Sequence, residues 1–206
     1  MVPEERSEAL AGEWDRAYVD EWAPWDIGRP QQAWIDLDAA GEIFPPVLDI
    51  GCGTGEHSLL LAARGLDVVG MDISTVAIDR ARSKAEQRGL DVTFQVGDAL
   101  ELDGLSRRFA TIIDSAVFHL FDDDHRPRYV QSLSSVIETG GVLHLLCFSE
   151  HTPGEEGPRR VTQRELRNSF ADGWVIQRIE PALIEVKEHW APQAARAWLA
   201  RIVRTG

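Results

Sequence analysis

Along the middle of the chain, short apolar runs alternate with amphipathic stretches. Val47 to Ile50 is a four-residue run interrupted only by Asp49, and it ends in the cluster Gly51-Cys52-Gly53-Thr54-Gly55. His57 to Arg64 places Leu59, Leu60, Ala62 and Ala63 at helical spacing, which predicts a helix. Asp67 to Asp72 (DVVGMD) predicts a second strand. The Ala/Arg/Lys-rich stretch from Ser74 to Arg88 predicts a second helix, with Ser74 as its N-cap and Gly89 as its stop. Val92 to Val96 and Phe109 to Ser115 are the third and fourth strands. A helix from Asp122 to about Ile137 is broken by Gly140-Gly141, and Val142 to Phe148 (VLHLLCF) is a fifth, nearly continuous apolar strand. Runs that are apolar on both faces suit parallel strands covered by helices on both sides. The alternation implies right-handed strand–helix–strand units and a doubly wound α/β domain.

The ends follow a different pattern. Residues 4 to 41 read as helical and hold Trp14, Trp22, Trp25 and Trp34. Residues 149 to 161 form a loop rich in Gly, Pro and charge, and Thr162 to Phe170 a short helix. Trp174 to Ile179, extending towards Val186, predicts another strand. In Ala194 to Val203, Trp198, Ala200 and Ile202 alternate with Leu199, Arg201 and Val203. That alternation favours a final antiparallel strand over the helix its alanines would allow.

Composition narrows the class. With 34 acidic residues against 21 Lys and Arg, the net charge is −13. Phosphate neutralisation needs clustered cations, so no nucleic-acid partner is expected. No stretch reaches the roughly 18 apolar residues of a membrane helix, and the acidic start MVPEERSEAL does not read as a secretory signal. Only Cys52 and Cys147 occur, too few for a disulfide scaffold. A cytoplasmic, monomeric single domain over residues 1–206 is expected.

The chemistry concentrates at the glycine cluster. A glycine-rich turn between strand and helix lets a ligand approach the backbone beside a positive helix N-terminus. Asp72 follows Gly51 by 21 positions, close to the spacing at which an acid meets a ribose in nucleoside-binding units. Asp98 ends the third strand in the same way. The glycines run G-C-G-T-G after Asp49 rather than in the G-x-G-x-x-G spacing of dinucleotide sites.

VLDIGCGTG, followed in order by VVGMDIS, VGDAL, IIDSAVFHL and GGVLHLLCF, resembles the motif series of class I S-adenosylmethionine-dependent methyltransferases over about Val47 to Phe148. The resemblance implies a seven-stranded, mostly parallel sheet ending in an antiparallel hairpin strand. It also implies a Rossmann-like core over residues 46–206 and a helical cap or lid over residues 1–45. S-adenosylmethionine is the implied cofactor. Gly51, Gly53 and Gly55 would lie beneath its methionine portion and Asp49 would face the ammonium. Asp72 would take the ribose hydroxyls, Ile73 would lie against the adenine, and Asp98 and the Ala99 N–H would meet the adenine edge. Ser115 and Phe118 would border the methyl group. EWAPWDIGRPQ and LLCFSEHTPGEEGPRRVT resemble the thiopurine S-methyltransferase-like group and its bacterial relatives acting on heterocyclic toxins and quinolones. The implied reaction is methyl transfer to an O, S or N atom of a small aromatic or heterocyclic molecule. A binding module without turnover and a nicotinamide-dependent oxidoreductase are the alternatives.

Because the sulfonium is already activated, the protein must mainly align the acceptor and exclude water. His119, just past the fourth strand, is the candidate base for a protonated acceptor; the alternative is a histidine that only lines the pocket. Trp25 and Arg29, in PWDIGRPQ, would close over the cofactor, unless that segment is simply an amphipathic helix on the sheet edge. Arg159 and Arg160 would either meet an anionic or carbonyl-bearing substrate or stand in solvent. Asp122, Asp123 and Asp124 read as helix caps rather than a magnesium site, and no metal-binding histidine spacing occurs.

Overall fold

The computed structural model describes residues 3–155, 157–187 and 194–206. Helices α1 (Pro3–Val19) and α2 (Gln32–Ala39) precede β1 (Val47–Ile50), α3 (Glu56–Ala63), β2 (Val68–Asp72), α4 (Thr75–Arg88) and β3 (Thr93–Val96). β4 (Phe109–Ser115), α5 (Arg126–Val136), β5 (Ile137–Phe148), α6 (Gln163–Ser169), β6 (Trp174–Ile184) and β7 (Ala195–Arg204) complete the chain. The strands form one seven-stranded sheet in the order β3-β2-β1-β4-β5-β7-β6. β1 to β5 are mutually parallel, and β7 runs antiparallel to both β5 and β6. The doubly wound sheet with a C-terminal antiparallel strand is therefore present, and the alternation around Trp198 indeed marks a strand.

Neighbouring residues explain why the strands are apolar throughout. Leu48, Val69, Ile112 and Leu145 enter one core with Tyr129 and Leu133 of α5. Val47, Val68, Ile113 and Leu146, each next in sequence to one of these, enter the opposite core with Trp34 and Leu37 of α2. A strand buried on both faces has no polar side to alternate with. α4 is bounded as its sequence predicts: Ser74 Oγ accepts from the Ala77 N–H at 3.1 Å, and Gly89 closes the helix in the left-handed region.

Three boundaries differ from the sequence reading. Residues 4 to 41 are not continuously helical, since 20–31 cross between α1 and α2 as an irregular strap. Trp25 and Arg29 lie on that strap. α5 starts at Arg126, because Asp122 Oδ1 accepts from the Asp124 and His125 N–H groups and holds 122–125 as a turn. It ends at Val136, ahead of the glycine pair, and β5 begins at Ile137 beside Phe109.

Candidate functional site

A cavity of about 1390 Å³ opens at the carboxyl ends of the parallel strands, where open α/β sheets bind ligands. Gly51 follows β1, Asp72 ends β2 with Ile73 next, Gly97 and Asp98 follow β3, Ser115 ends β4 and Phe148 ends β5, and all of them line it. Ala99, Trp25 and His119 line it as well. Sequence reading thus names groups that the fold brings together from the ends of four strands, the strap and the turn after β4; Gly97 and Phe148 were not among them.

The glycine loop is shaped by what surrounds it. Gly51 has φ +65°, and a Cβ there would sit 2.2 Å from Val117 Cγ2, so a bare backbone forms this wall of the cavity. The Gly53 N–H donates to Asp72 Oδ2 at 2.8 Å, and the Ser74 N–H donates to Asp72 Oδ1 at 2.8 Å. Burial pushes the Asp72 carboxyl up, opposed by these two N–H groups. Gly55 does not line the cavity; its missing Cβ makes room for Phe94 and Ala81.

Asp49 is fully buried under the loop. Its Oδ2 accepts from the Ser58 N–H at 3.1 Å and the Ser58 hydroxyl at 2.6 Å, while Oδ1 has no protein partner. Burial pushes its carboxyl up to about 7 despite the Ser58 bonds. An orphaned buried carboxylate oxygen is costly, and a cationic group at the loop would satisfy it. Asp98 Oδ1 accepts from the Leu100 N–H at 2.9 Å. Ser115 Oγ accepts the Trp34 indole N–H at 3.1 Å.

The strap is tied on both sides. Thr54 donates to Asp26 at 2.8 Å, linking it to the glycine loop. Gln31 exchanges two hydrogen bonds with the Glu185 backbone, and the Lys187 N–H reaches Pro24 O. Arg29 does not line the cavity. Its guanidinium grips the Glu185 carboxylate at 2.9 and 2.7 Å, so it pins the strap to the stretch after β6. α1 is docked in turn by Asp15, which accepts from Ser74 Oγ at 2.6 Å and the Val76 N–H at 3.1 Å.

Phe118 is also placed elsewhere. In the short 3-10 turn Phe118–Leu120 it points into the core against Tyr129 and Phe170, while His119 faces the cavity. Arg159 bridges Asp123 and Glu165 outside the cavity, whereas Arg160 lines it, 5.6 Å over the Phe148 ring. Among the described residues no group of three His, Cys, Asp or Glu side chains converges as metal ligands would. Asp122 pairs instead with His125 at 2.5 Å.

His119 has a defined hydrogen-bond state. The Phe148 N–H donates to its Nδ1 at 3.0 Å, so the neutral ring carries its proton on Nε2. Burial, and then the charges of Arg160 and Arg126, hold its pKa down to about 3. The Nδ1 lone pair is thus engaged by a backbone N–H, and Nε2–H is left as the polar group of the neutral ring.

Tyr18 escaped the sequence reading. Its hydroxyl accepts the Trp25 indole N–H at 3.0 Å and stands 2.9 Å from where a Gly53 Cβ would be. Leu10, Trp14 and Tyr18, spaced by four residues on α1, all line the cavity. That spacing was the available signal.

Comparison with known proteins agrees with this geometry. Residues 47–141 match the family model described as a methyltransferase domain. The 2-heptyl-1-hydroxyquinolin-4(1H)-one methyltransferase of Mycobacteroides abscessus is 38% identical over 162 residues, covering 77% of this chain and 71% of that protein. The tRNA 5-carboxymethoxyuridine methyltransferase of Escherichia coli K12 is 36% identical over 132 residues, covering 60% of this chain and 50% of that one. A solved structure from work on the conversion of a disulfide bond into a thioacetal group during echinomycin biosynthesis superposes with a TM-score of 0.88. It is 36% identical and covers 95% of this chain and 93% of that one. These matches leave the nicotinamide alternative without support. The chain belongs to the S-adenosylmethionine-dependent methyltransferases and has their class I fold.

Proposed function

We propose that the chain methylates an O, S or N atom of a small aromatic or heterocyclic molecule, with a hydroxyquinolone-like compound as the first acceptor to try. The observation that carries this reading is the cavity itself. At about 1390 Å³ it exceeds the roughly 300–1,000 Å³ of an ordinary ligand site, leaving room for an acceptor beside the cofactor. Away from Asp72 and Asp98, Phe148, Phe121, Val117 and Ile184 offer apolar faces suited to a flat ring, among polar groups that include His119, His125 and Arg160. The hydroxyquinolone relative supports the same class.

The residues present fit S-adenosylmethionine, which supplies an electrophilic methyl group on a sulfonium. The orphaned Asp49 Oδ1 would face the ammonium, and the Gly51 backbone would lie against the methionine portion, with Gly53 and Gly55 shaping the loop behind it. Asp72, at the end of β2 on the cavity wall, would accept the ribose hydroxyls. Ile73 would lie along the adenine, with Asp98 and the Ala99 N–H at its edge. Trp25 would roof the site from the strap. The chain then works by alignment, holding the acceptor atom about 3–3.5 Å from the methyl carbon, and by keeping water out with the aromatic wall.

Asp49 gives this assignment a pH signature. Its folded pKa of about 7 means that near pH 6 much of the group is protonated. Facing an ammonium favours the carboxylate, so cofactor binding is expected to release protons near pH 6 and to release few above pH 8. Calorimetry in buffers of different ionisation enthalpy reads this directly. Asp49→Asn should abolish the buffer dependence; its persistence in that variant would place the proton elsewhere.

The acceptor class is tested by incubating the protein with methyl-labelled S-adenosylmethionine and a panel of hydroxyquinolines, phenols and heterocyclic thiols, with tRNA alongside. Label on a heterocycle and none on tRNA is expected. Label on tRNA alone would overturn the reading. The net charge of −13 opposes a polyanionic acceptor.

A further inference from the structure

We propose that His119, as a hydrogen-bond donor, and the positive Arg160 beside it receive the acceptor as an anion, so that the enzyme methylates molecules acidic enough to ionise unaided. This rests on the small-molecule reading above and adds a selection rule to it.

The geometry has three parts. First, Nδ1 of His119 is occupied by the Phe148 N–H at 3.0 Å, which leaves Nε2–H as the polar edge for the cavity the ring lines. Its ring stands edge-on to Phe148 at 4.8 Å, so packing and hydrogen bond fix one orientation. Second, the charges bearing on His119 from the neighbouring elements are both positive: Arg160 from the loop after β5 and Arg126 from the start of α5. Arg160 is held in place by the carbonyls of Pro153, Gly154 and Pro158. An anion beside a neutral N–H donor and a fixed guanidinium is stabilised, and a neutral hydroxyl is not discriminated for. Third, of the other titratable groups at this end of the cavity, Asp122 and His125 are bound to each other and the rest lie at its exposed rim. Asp122 is bound to the His125 ring and N–H, which hold its carboxyl below the usual range. His151 and Glu155 line the exposed mouth, with the Arg196 cation nearby.

The step balances without a proton acceptor. The acceptor's anionic lone pair forms the new bond to the methyl carbon as the methyl–sulfur bond breaks. The electron pair of that bond stays on sulfur, so the anion and the sulfonium both become neutral.

The test uses 1-hydroxyquinolin-4(1H)-ones and hydroxyquinolines substituted so that their hydroxyl pKa values span about three units. With the wild-type protein, log kcat/KM should rise with pH to a plateau, and its midpoint should move with each acceptor's own pKa. Independently of turnover, absorption spectra of each acceptor bound with S-adenosylhomocysteine should show the anion below its free pKa. His119→Phe should weaken binding of the anion by about 10–100-fold, the effect of losing one hydrogen bond to a charged group. It should also return the bound acceptor's titration towards that of the free compound. His119→Gln, which offers an acceptor and a donor on one amide, should recover part of both. The spectra need only the wild-type protein, so misfolding of a variant leaves the test intact. A midpoint that stays at one pH for every acceptor and disappears in His119→Phe, His125→Phe or His151→Phe would identify a base and overturn the proposal. Neutral bound spectra, or equal kcat/KM for weakly and strongly acidic acceptors, would also overturn it. If no heterocycle is bound or methylated at all, the acceptor class fails and takes this proposal with it. Methylation indifferent to acidity sinks this proposal alone.

Discussion

Asp72→Ala is expected to weaken S-adenosylhomocysteine binding by about 10²–10⁴-fold, the loss of two charge-assisted hydrogen bonds at roughly 1.5–3 kcal/mol each. Asp72 ends β2 at the cavity wall, and its two oxygens already hold the Gly53 and Ser74 N–H groups. The substitution therefore removes the proposed ribose acceptor and also unties the glycine loop from the start of α4. Asp72→Asn keeps one acceptor oxygen and should fall between. Glu86→Ala, on the exposed face of α4, should bind as the wild type does. Calorimetric titration of the three variants measures the series. Equal affinities for Asp72→Ala and Glu86→Ala would show that Asp72 does not face the ligand.

Gly51→Ala carries the second large effect, and it acts first on the fold. The residue sits at φ +65°, and its Cβ would approach Val117 Cγ2 to 2.2 Å. Left-handed backbone costs an L-residue about 1–2 kcal/mol, and forcing a methyl into a packed contact adds about 1–3 kcal/mol. For a domain of this size the sum corresponds to a Tm lower by roughly 4–20 °C. Val117 is β-branched and its N–H is anchored on Asp114 at 2.8 Å, so it has little room to retreat. Adding Val117→Ala should restore the packing part and leave the backbone part, giving a partial recovery of Tm. Cofactor affinity should fall with Gly51→Ala even where the protein stays folded, because the new methyl reshapes the wall at the loop. A thermal melt of Gly51→Ala indistinguishable from wild type would contradict this account of the loop.

What the sequence made legible follows from how local each signal is. The parallel strands were readable because residues such as Ile112 and Ile113 enter opposite cores, which leaves an uninterrupted apolar run. The ends of α4 were readable because Ser74 and Gly89 act within one helical turn. The cavity groups at the strand ends were readable because the fold places every such end on one edge of the sheet. Three features were not. The strap is held by pairs distant in sequence, Asp15 with Ser74 and Arg29 with Glu185, and no local pattern announces them. Phe118 and His119 are neighbours in sequence, but a tight turn sends one into the core and the other into the cavity. The proton position on His119 depends on the Phe148 N–H, 29 residues away, and the proposed donor role rests on it.

The buried histidines and acids also give stability opposing pH dependences. His57, His119 and His144 are pushed by burial down to about 4, 3 and 4. The unfolded chain therefore binds more protons at these positions, and their contribution is lost as pH falls below about 6.5. Asp49 and Asp114 are pushed up to about 7 by burial. There the folded chain holds more protons, and their contribution is lost as pH rises from about 4 to 7.

The central claim is that one cavity holds the cofactor along Asp72 and Asp98, above the buried Asp49, and the acceptor against His119. The structure of the protein with S-adenosylhomocysteine and a methylatable hydroxyquinolone, determined by crystallography, tests it directly. The account predicts the ribose hydroxyls on Asp72, the adenine between Ile73 and Ala99, and the ammonium facing Asp49. It also predicts the acceptor oxygen within hydrogen-bond reach of His119 Nε2, on the side of the sulfur from which the methyl would leave. An acceptor seated away from His119, or a ribose that does not touch Asp72, would contradict it.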